Sequence, residues 1–365
     1  MLAHGRSNAK VVEIYEESLV SAVADRIMLL THHDLEDHED QPMDLLEMGM
    51  CDVIRVFVKG EPHSLKKIEE KRFRLIFSES LIDQCVERFF AQKQNKREVS
   101  IWSSLPSLIG IGFDKRHVEA MTSNPSWFAP HATLCCTDVK QWDWSVQYKE
   151  LMFEAHIRAS LISNCSDNLE LLIKNRFYCL TQKICVFSDG TTAIPPKGVM
   201  PSGSYVTSSS NSRIRLTLGL RCRARYNQPL TTNIKCVGDD CIEEHDLEDE
   251  SSAEALEFFG HPVKLMEKCT TEDFEFCSHQ FENNIPRPLS MGKSMYKYMQ
   301  GRRNADQTAA MIGMTDNLRP HDREAVLEII NRFGMPDEES NQEEGASKED
   351  ASEEDDCEEE APAPF

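Results

Sequence analysis

A chain of 365 residues, 40% of them apolar, is long enough to bury a substantial core, and its length suggests two or three lobes. Its formal net charge of −22 excludes casual binding of nucleic acid through bulk charge, so any such function must rest on local basic clusters. The absence of any apolar run of membrane-spanning length, and of a basic-then-apolar leader, predicts an intracellular chain that is neither inserted nor secreted.

The charge is uneven. Residues 336–365 carry 14 Asp or Glu against one Lys, which leaves the rest of the chain at −9. The 13 cysteines lie in apolar contexts, none in a C-x-x-C pair, and read as reduced thiols rather than as disulfides or a zinc framework.

Along residues 1–30, Val11, Ile14, Leu19, Val23, Ile27 and Leu30 have the spacing of an amphipathic helix. The acidic stretch 31–49 reads as a loop, and His32, His33 and His38 within it as solvated side chains rather than metal ligands. Residues 53–59 form an apolar strand that Glu61-Pro62 ends. The next stretch is basic, with Lys59, Lys66, Lys67, Lys71, Arg72 and Arg74. Alternation in Arg72-Phe73-Arg74 predicts a strand with both guanidinium groups on one face, suited to clamping phosphate oxygens. A helix over 81–90, a polar break over 92–98 and a glycine turn at 109–113 follow. That turn lacks the Gly-Lys-Ser/Thr of a P-loop.

Leu134-Cys135-Cys136-Thr137 reads as a strand ending in Asp138, with Asp143 five positions on and a helix over 144–159. Residues 160–200 alternate helical and strand character. If the chain is helical after Ser202-Gly203, Thr207 and Asn211 share a face. So many Ser and Thr make a poor helix by propensity, so something other than local stability selects them. The segment runs on into five arginines between 213 and 225. In Lys235-Cys236-Val237-Gly238-Asp239-Asp240-Cys241-Ile242-Glu243, apolar residues flank a tight turn, predicting a hairpin with two carboxylates at its tip. Adjacent carboxylates suit Mg²⁺, a hard cation that prefers oxygen. The triplet alone decides nothing, since it arises by accident in roughly one chain in ten of this length. A helix over 253–259, a strand at 263–266 and alternation over 274–281 come next. Residues 286–335 read as two or three helices, the last stopped by Gly334, and the tail has the composition of disorder.

Three features thus stand in order: Asp138-x₄-Asp143 at a strand end, Ser202-Gly203-x₃-Thr207-x₃-Asn211 at a helix start, and Gly238-Asp239-Asp240 in a hairpin. Their joint occurrence resembles motifs A, B and C of viral RNA-dependent RNA polymerases. Phe57-Val58-Lys59-x-Glu61-Pro62-His63 with Arg72-Phe73-Arg74 is similar to motif F of the sobemovirus-like (solemovirus) group. Ser209-Ser210-Asn211-Ser212-Arg213 and Gly110-x-Gly112 point the same way, while Lys264 fits motif D and Phe276-Cys277-Ser278-His279 motif E. The resemblance covers about residues 53–300. The N-terminal part is short for such enzymes, and the acidic tail has no counterpart in the family.

The resemblance implies an α+β right-hand polymerase: fingers, palm and thumb, with an antiparallel palm sheet packed on helices. An N-terminal segment and fingers would occupy 1–130, a fingers insertion 161–200, palm 131–160 and 201–285, thumb 286–335, and an acidic disordered tail 336–365. It further implies replication of a positive-strand RNA virus genome by transfer of nucleotides from rNTPs to an RNA 3′-hydroxyl. Asp138, Asp239 and Asp240 would hold two Mg²⁺ ions, with Mn²⁺ as a substitute, and Lys264 would protonate the leaving pyrophosphate. Asp143, Thr207 and Asn211 would form the ribose pocket, Lys59, Arg72 and Arg74 would hold the triphosphate, and Ser202 and Gly203 would be nucleotide-binding with them, the arginines after Asn211 adding to a positive RNA channel. Expected partners are an RNA template, a primer or nascent strand, rNTPs and other viral replication proteins. The expected location is host cytoplasm, at membrane-associated complexes reached through partners. The rivals are a reverse transcriptase-like polymerase and an inactive polymerase-fold RNA-binding protein.

Overall fold

A computed structural model describes residues 8–35, 41–63, 65–230, 233–244, 249–300 and 305–333. His38 and the acidic tail lie outside them. Two compact units divide the chain, Met1–Ser290 and Met291–Phe365.

In the first unit the order is α1 (Asn8–His32), α2 (Pro42–Glu47), β1 (Ile54–Val58), α3 (Leu65–Glu69), β2 (Leu75–Ser78), α4 (Leu81–Ser100) and α5 (Lys115–Thr122). Next come β3 (Thr133–Val139), α6 (Trp142–Ser145), α7 (Tyr148–Ser160), α8 (Asp167–Thr181), β4 (Cys185–Phe187), β5 (Thr192–Ala193) and α9 (Thr207–Arg225). The unit ends with β6 (Ile234–Val237), β7 (Asp240–Glu244), α10 (Asp249–Phe258), β8 (Val263–Thr270), β9 (Asp273–Phe276), β10 (His279–Glu282) and β11 (Ile285–Pro288). Among the described residues the strands form two sheets, in the orders β11-β10-β9-β8-β3-β7-β6 and β2-β1-β4-β5. The larger one is antiparallel with β3 inside it, and the smaller joins β1 to β4 in parallel. Helices plus a large antiparallel sheet make this the α+β architecture expected from the resemblance.

The large sheet separates two layers because its side chains alternate. On one face Leu216 and Leu220 of α9 pack on Ile234, Cys236 and Cys241. Gly219 lets that helix lie close, since a Cβ there would sit 2.9 Å from the Ile234 side chain. On the other face Leu134 and Ile242 meet Trp102, Leu108, Phe274 and Phe281. The largest core lies among the helices, where Leu30, Val86, Leu151, Phe177 and Leu218 are buried. The described cysteines carry free thiols.

Several local expectations give way to tertiary contacts. The acidic stretch 31–49 is partly helical: α1 reaches His32, and α2 starts where the Gln41 amide donates to Asp44 (2.9 Å). No break interrupts α4 at 92–98. Lys, Gln, Arg and Glu are good helix formers, and the stretch has buried partners: Arg158 donates to Gln94 (2.7 Å) and Asn95 (3.2 Å), and Arg213 pairs with Glu98. The serines of α9 are held likewise, Arg158 donating to Ser209 (2.9 Å) and Ser210 donating to Glu154 (3.0 Å). Arg72-Phe73-Arg74 is not a strand; it follows Lys71 at φ +54° and precedes β2.

In the second unit α11 (Met291–Gln300), α12 (Ala305–Thr315) and α13 (Pro320–Phe333) enclose Met295, Tyr298, Met311, Val326 and Ile330. The Tyr298 hydroxyl lies 3.0 Å from that of Thr308.

Candidate active site

Asp138 stands near the end of β3, and β7 runs antiparallel beside it with Thr137 opposite Cys241. One further step of that register sets Asp138 opposite Asp240, on the same sheet face. Gly238-Asp239 is the two-residue turn joining β6 to β7, and Gly238 takes φ +62°, the left-handed region open to glycine. The strand end and the hairpin tip therefore bring the three carboxylates to one edge. The charge of Asp138 acts on both Asp239 and Asp240. Burial raises the Asp240 pKa, and Asp239 and Asp138 push it further, to about 7. Asp240 is solvent-exposed, so water moderates the burial cause and repulsion between the carboxylates is the more durable part. Asp239 is also raised, by burial and Asp138, against the opposing charges of Arg74 and Arg215.

Lys264 reaches the same edge through an irregularity. The β3–β8 pairing matches Asp138 with Leu265 but Val139 with Val263, leaving Lys264 as the extra residue of a bulge. Bulges re-aim side chains, and the Lys264 ammonium forms an ion pair with Asp138. Cys277, at φ +50° in the turn before β10, donates its thiol to Asp240 from the other flank. Among the described residues, no three His, Cys, Asp or Glu side chains already enclose a cation-sized space. The donor chemistry nevertheless fits a hard divalent ion: three carboxylates, mutually repelled, at an edge where an ammonium already seats on one of them.

Asp143 lies in α6, which follows Gln141 at φ +53°. Asn211 donates its side-chain amide to Asp143 (3.2 Å), and the Asn211 Oδ1, buried, has no hydrogen-bond partner among the described residues. Burial lifts the Asp143 pKa to about 6, with the Asn211 bond and Arg74 opposing and Asp239 adding to the rise. Thr207 is turned elsewhere; its hydroxyl donates to the Pro201 carbonyl (2.8 Å) and ties down the loop before α9. Ser202 and Gly203 anchor that loop to β2. The Ser202 hydroxyl donates to Leu75 O (3.2 Å), and a Cβ on Gly203 would approach Phe77 O to 2.1 Å. Only glycine fits against that carbonyl.

The basic residues divide. Lys59 and Arg74 both pair with the Glu61 carboxylate (3.3 Å each), and the Lys59 amide donates to Arg74 O (2.8 Å). The charge of Arg74 acts on Asp143 and on Asp239. Arg72 is paired with Glu70 instead, so the predicted two-guanidinium face is not formed. The arginines after Asn211 do not line a channel. Arg213 and Arg215 are buried on Glu154 (2.5 Å) and Thr137, Arg223 is buried against Glu243 and Glu244, and Arg221 and Arg225 stack on Phe259 and Phe258.

Sequence reasoning gave no role to Ser212 and placed Arg215 among the arginines of an RNA channel, whereas both serve this site. Ser212 accepts a hydrogen bond from the Gly238 amide (2.7 Å), and Arg215 donates to Thr137, beside Asp138. Each lies within one turn of Asn211 on α9, which was the available signal.

A family described as "Viral RNA-directed RNA-polymerase" matches residues 2–117 and 111–287. The RNA-directed RNA polymerase of Mushroom bacilliform virus is 33% identical over 305 residues, 81% of this chain and 71% of that one. Protein P1-P2 of Potato leafroll virus is 34% identical over 333 residues, and Replicase polyprotein P2AB of Southern bean mosaic virus 33% over 307. The chain spans 30% of the length of each of those two. Its fold is similar to the crystal structure of a human picobirnavirus RNA-dependent RNA polymerase, with TM-score 0.60, 14% identity, and coverage of 77% of this chain and 56% of that one.

Proposed function

Because the chain belongs to the viral RNA-directed RNA polymerase family, we propose that it adds ribonucleotides to an RNA 3′-hydroxyl under direction of an RNA template, replicating a positive-strand RNA virus genome. The observation that carries this is the meeting of Asp138 with the Gly238-Asp239-Asp240 turn, beside the Asn211–Asp143 pair. Asp138, Asp239 and Asp240 would hold two divalent ions, Mg²⁺ or in substitution Mn²⁺. When bound, such ions lower the pKa of an attacking hydroxyl and stabilise charge on leaving pyrophosphate.

The chain's own groups supply the rest. Arg74 and Lys59, drawn together on their shared Glu61, bind triphosphate oxygens as a forked and a point cation respectively. The Asn211 Oδ1, without a hydrogen-bond partner among the described residues, accepts from the ribose 2′-hydroxyl, a group deoxyribonucleotides lack. Lys264, in ion contact with Asp138, carries on Nζ a proton that the leaving pyrophosphate takes. Arg72, paired with Glu70, contributes to the surface around the triphosphate rather than to its clamp.

None of the described helices is long and apolar enough to cross a membrane. Replication in host cytoplasm, on membranes reached through other viral proteins, is the location this reading favours. Extension of an annealed RNA primer by the purified chain tests the function. Ribonucleotides are expected to be incorporated according to the template and deoxyribonucleotides poorly; an Asp239→Ala chain that extends as fast as the parent would end the assignment.

A further inference from the structure

The hairpin that carries Asp239 is not held by its own strands alone. Its turn residue Gly238 has open space around the position of a Cβ, so glycine serves there for φ +62° and not for close packing. What fixes the turn from outside is Ser212. That side chain is fully buried, and its hydroxyl lies 2.7 Å from the Gly238 amide and 3.0 Å from Ser208 O. The chemistry leaves one assignment. An amide can only donate and a carbonyl only accept, so the single hydroxyl proton goes to Ser208 and a lone pair receives Gly238 N–H.

The neighbours of Ser212 on α9 serve the same edge of the sheet. Asn211 donates to Asp143, and Arg215 donates to Thr137, the residue before Asp138. The close seat of Gly219 on Ile234 fixes the distance between this helix and β6. One rigid segment thus touches the sugar-side pair, the hairpin tip and the strand end.

We propose that Ser212 is a positioning residue: its hydroxyl fixes the Gly238-Asp239 turn to α9, so that the Asp239 carboxylate is presented for divalent-ion binding in register with Asn211. This rests on the metal reading above. In Ser212→Ala the Gly238 amide loses its acceptor and the turn gains freedom. One neutral hydrogen bond lost beside a charged site corresponds to about tenfold in an equilibrium constant.

The test uses the full chain and Mn²⁺ as the probe, with free Mn²⁺ read by electron paramagnetic resonance, and amide hydrogen exchange over residues 236–241 in metal-free protein. S212A is expected to bind Mn²⁺ about tenfold more weakly and to exchange faster in that segment, and S212T, which keeps the hydroxyl, to recover most of both. If S212A does not fold, S212C has nearly the same volume and a poor acceptor, and carries the same expectation. Mn²⁺ affinity within twofold of the parent, with unchanged exchange, overturns the proposal. Asp239→Ala separates the two readings: Mn²⁺ binding retained in D239A defeats the metal assignment itself, whereas binding lost in D239A but kept in S212A defeats the role of Ser212 alone.

Discussion

Between about pH 4 and 6 the Asp143 carboxyl is protonated in the folded chain and ionised in the unfolded one, because burial and Asp239 lift its pKa from 3.8 to about 6. The folded state binds the extra proton in that window, so this group's contribution to stability falls as pH rises through it. Asp143→Asn removes the buried charge and keeps an oxygen to accept from Asn211. Its melting temperature is therefore expected to exceed the parent's at pH 8 by roughly 2–4 °C and to match it at pH 4, read by thermal unfolding at both values. Asn211→Ala removes the acceptor left for a 2′-hydroxyl. Discrimination between rNTP and dNTP, taken as the ratio of kcat/KM values, is expected to drop about tenfold or more, and an unchanged ratio would remove Asn211 from sugar recognition. Asp143 and Asn211 were readable only through the motif resemblance, since spacing by itself placed one at a strand end and the other on a helix face without pairing them. Ser212 was not, since a serine in a serine-rich run gives no sign of which amide lies opposite.

At the scale of elements, α9 and α4 show how buried charge organises the fold. Arg158 and Arg213 converge on Glu154, with Glu98, Gln94 and Asn95 from α4 completing the shell. Removing one member strands the others in a medium that cannot solvate them, which costs about 3–5 kcal/mol. Glu154→Ala is thus expected to lower the denaturant midpoint sharply, and a variant within about 0.5 kcal/mol of the parent would show that water reaches the network. This network explains why 92–98 is helix where its polarity predicts a break and why Arg213 is buried, while Arg215 and Arg223 are drawn inward by Thr137, Glu243 and Glu244 instead. Neither was legible, because charge in a sequence does not announce whether its partner is solvent or a distant carboxylate. The loop before α9 depends on a single atom's absence. Gly203→Ala would drive a Cβ against Phe77 O, so it is expected to detach the loop from β2 and raise KM for nucleotides with little change in RNA affinity.

For the molecule as a whole, the order of the three motif stretches mattered more than any one of them. Asp138 and the hairpin are about a hundred positions apart, yet β3 and β7 pair directly. Only the combination made that adjacency readable; composition, with its net charge of −22, pointed away from nucleic acid. With a mildly acidic body, the proposed reading leaves contacts with phosphate to a few local cations, Arg74 and Lys59 among them. Deleting residues 336–365 takes the charge to −9 and is expected to raise the rate of RNA association several-fold at low salt, a gain that vanishes at high salt when followed by stopped-flow fluorescence. Whether carboxylates from a strand end and a hairpin tip share divalent ions is decided by anomalous scattering from crystals of the chain soaked in Mn²⁺. Peaks are expected about 2.0–2.3 Å from oxygens of Asp138 and Asp239 together; peaks bound to only one of them, or none at this edge while Mn²⁺ supports extension in the same solution, would rule out the shared site.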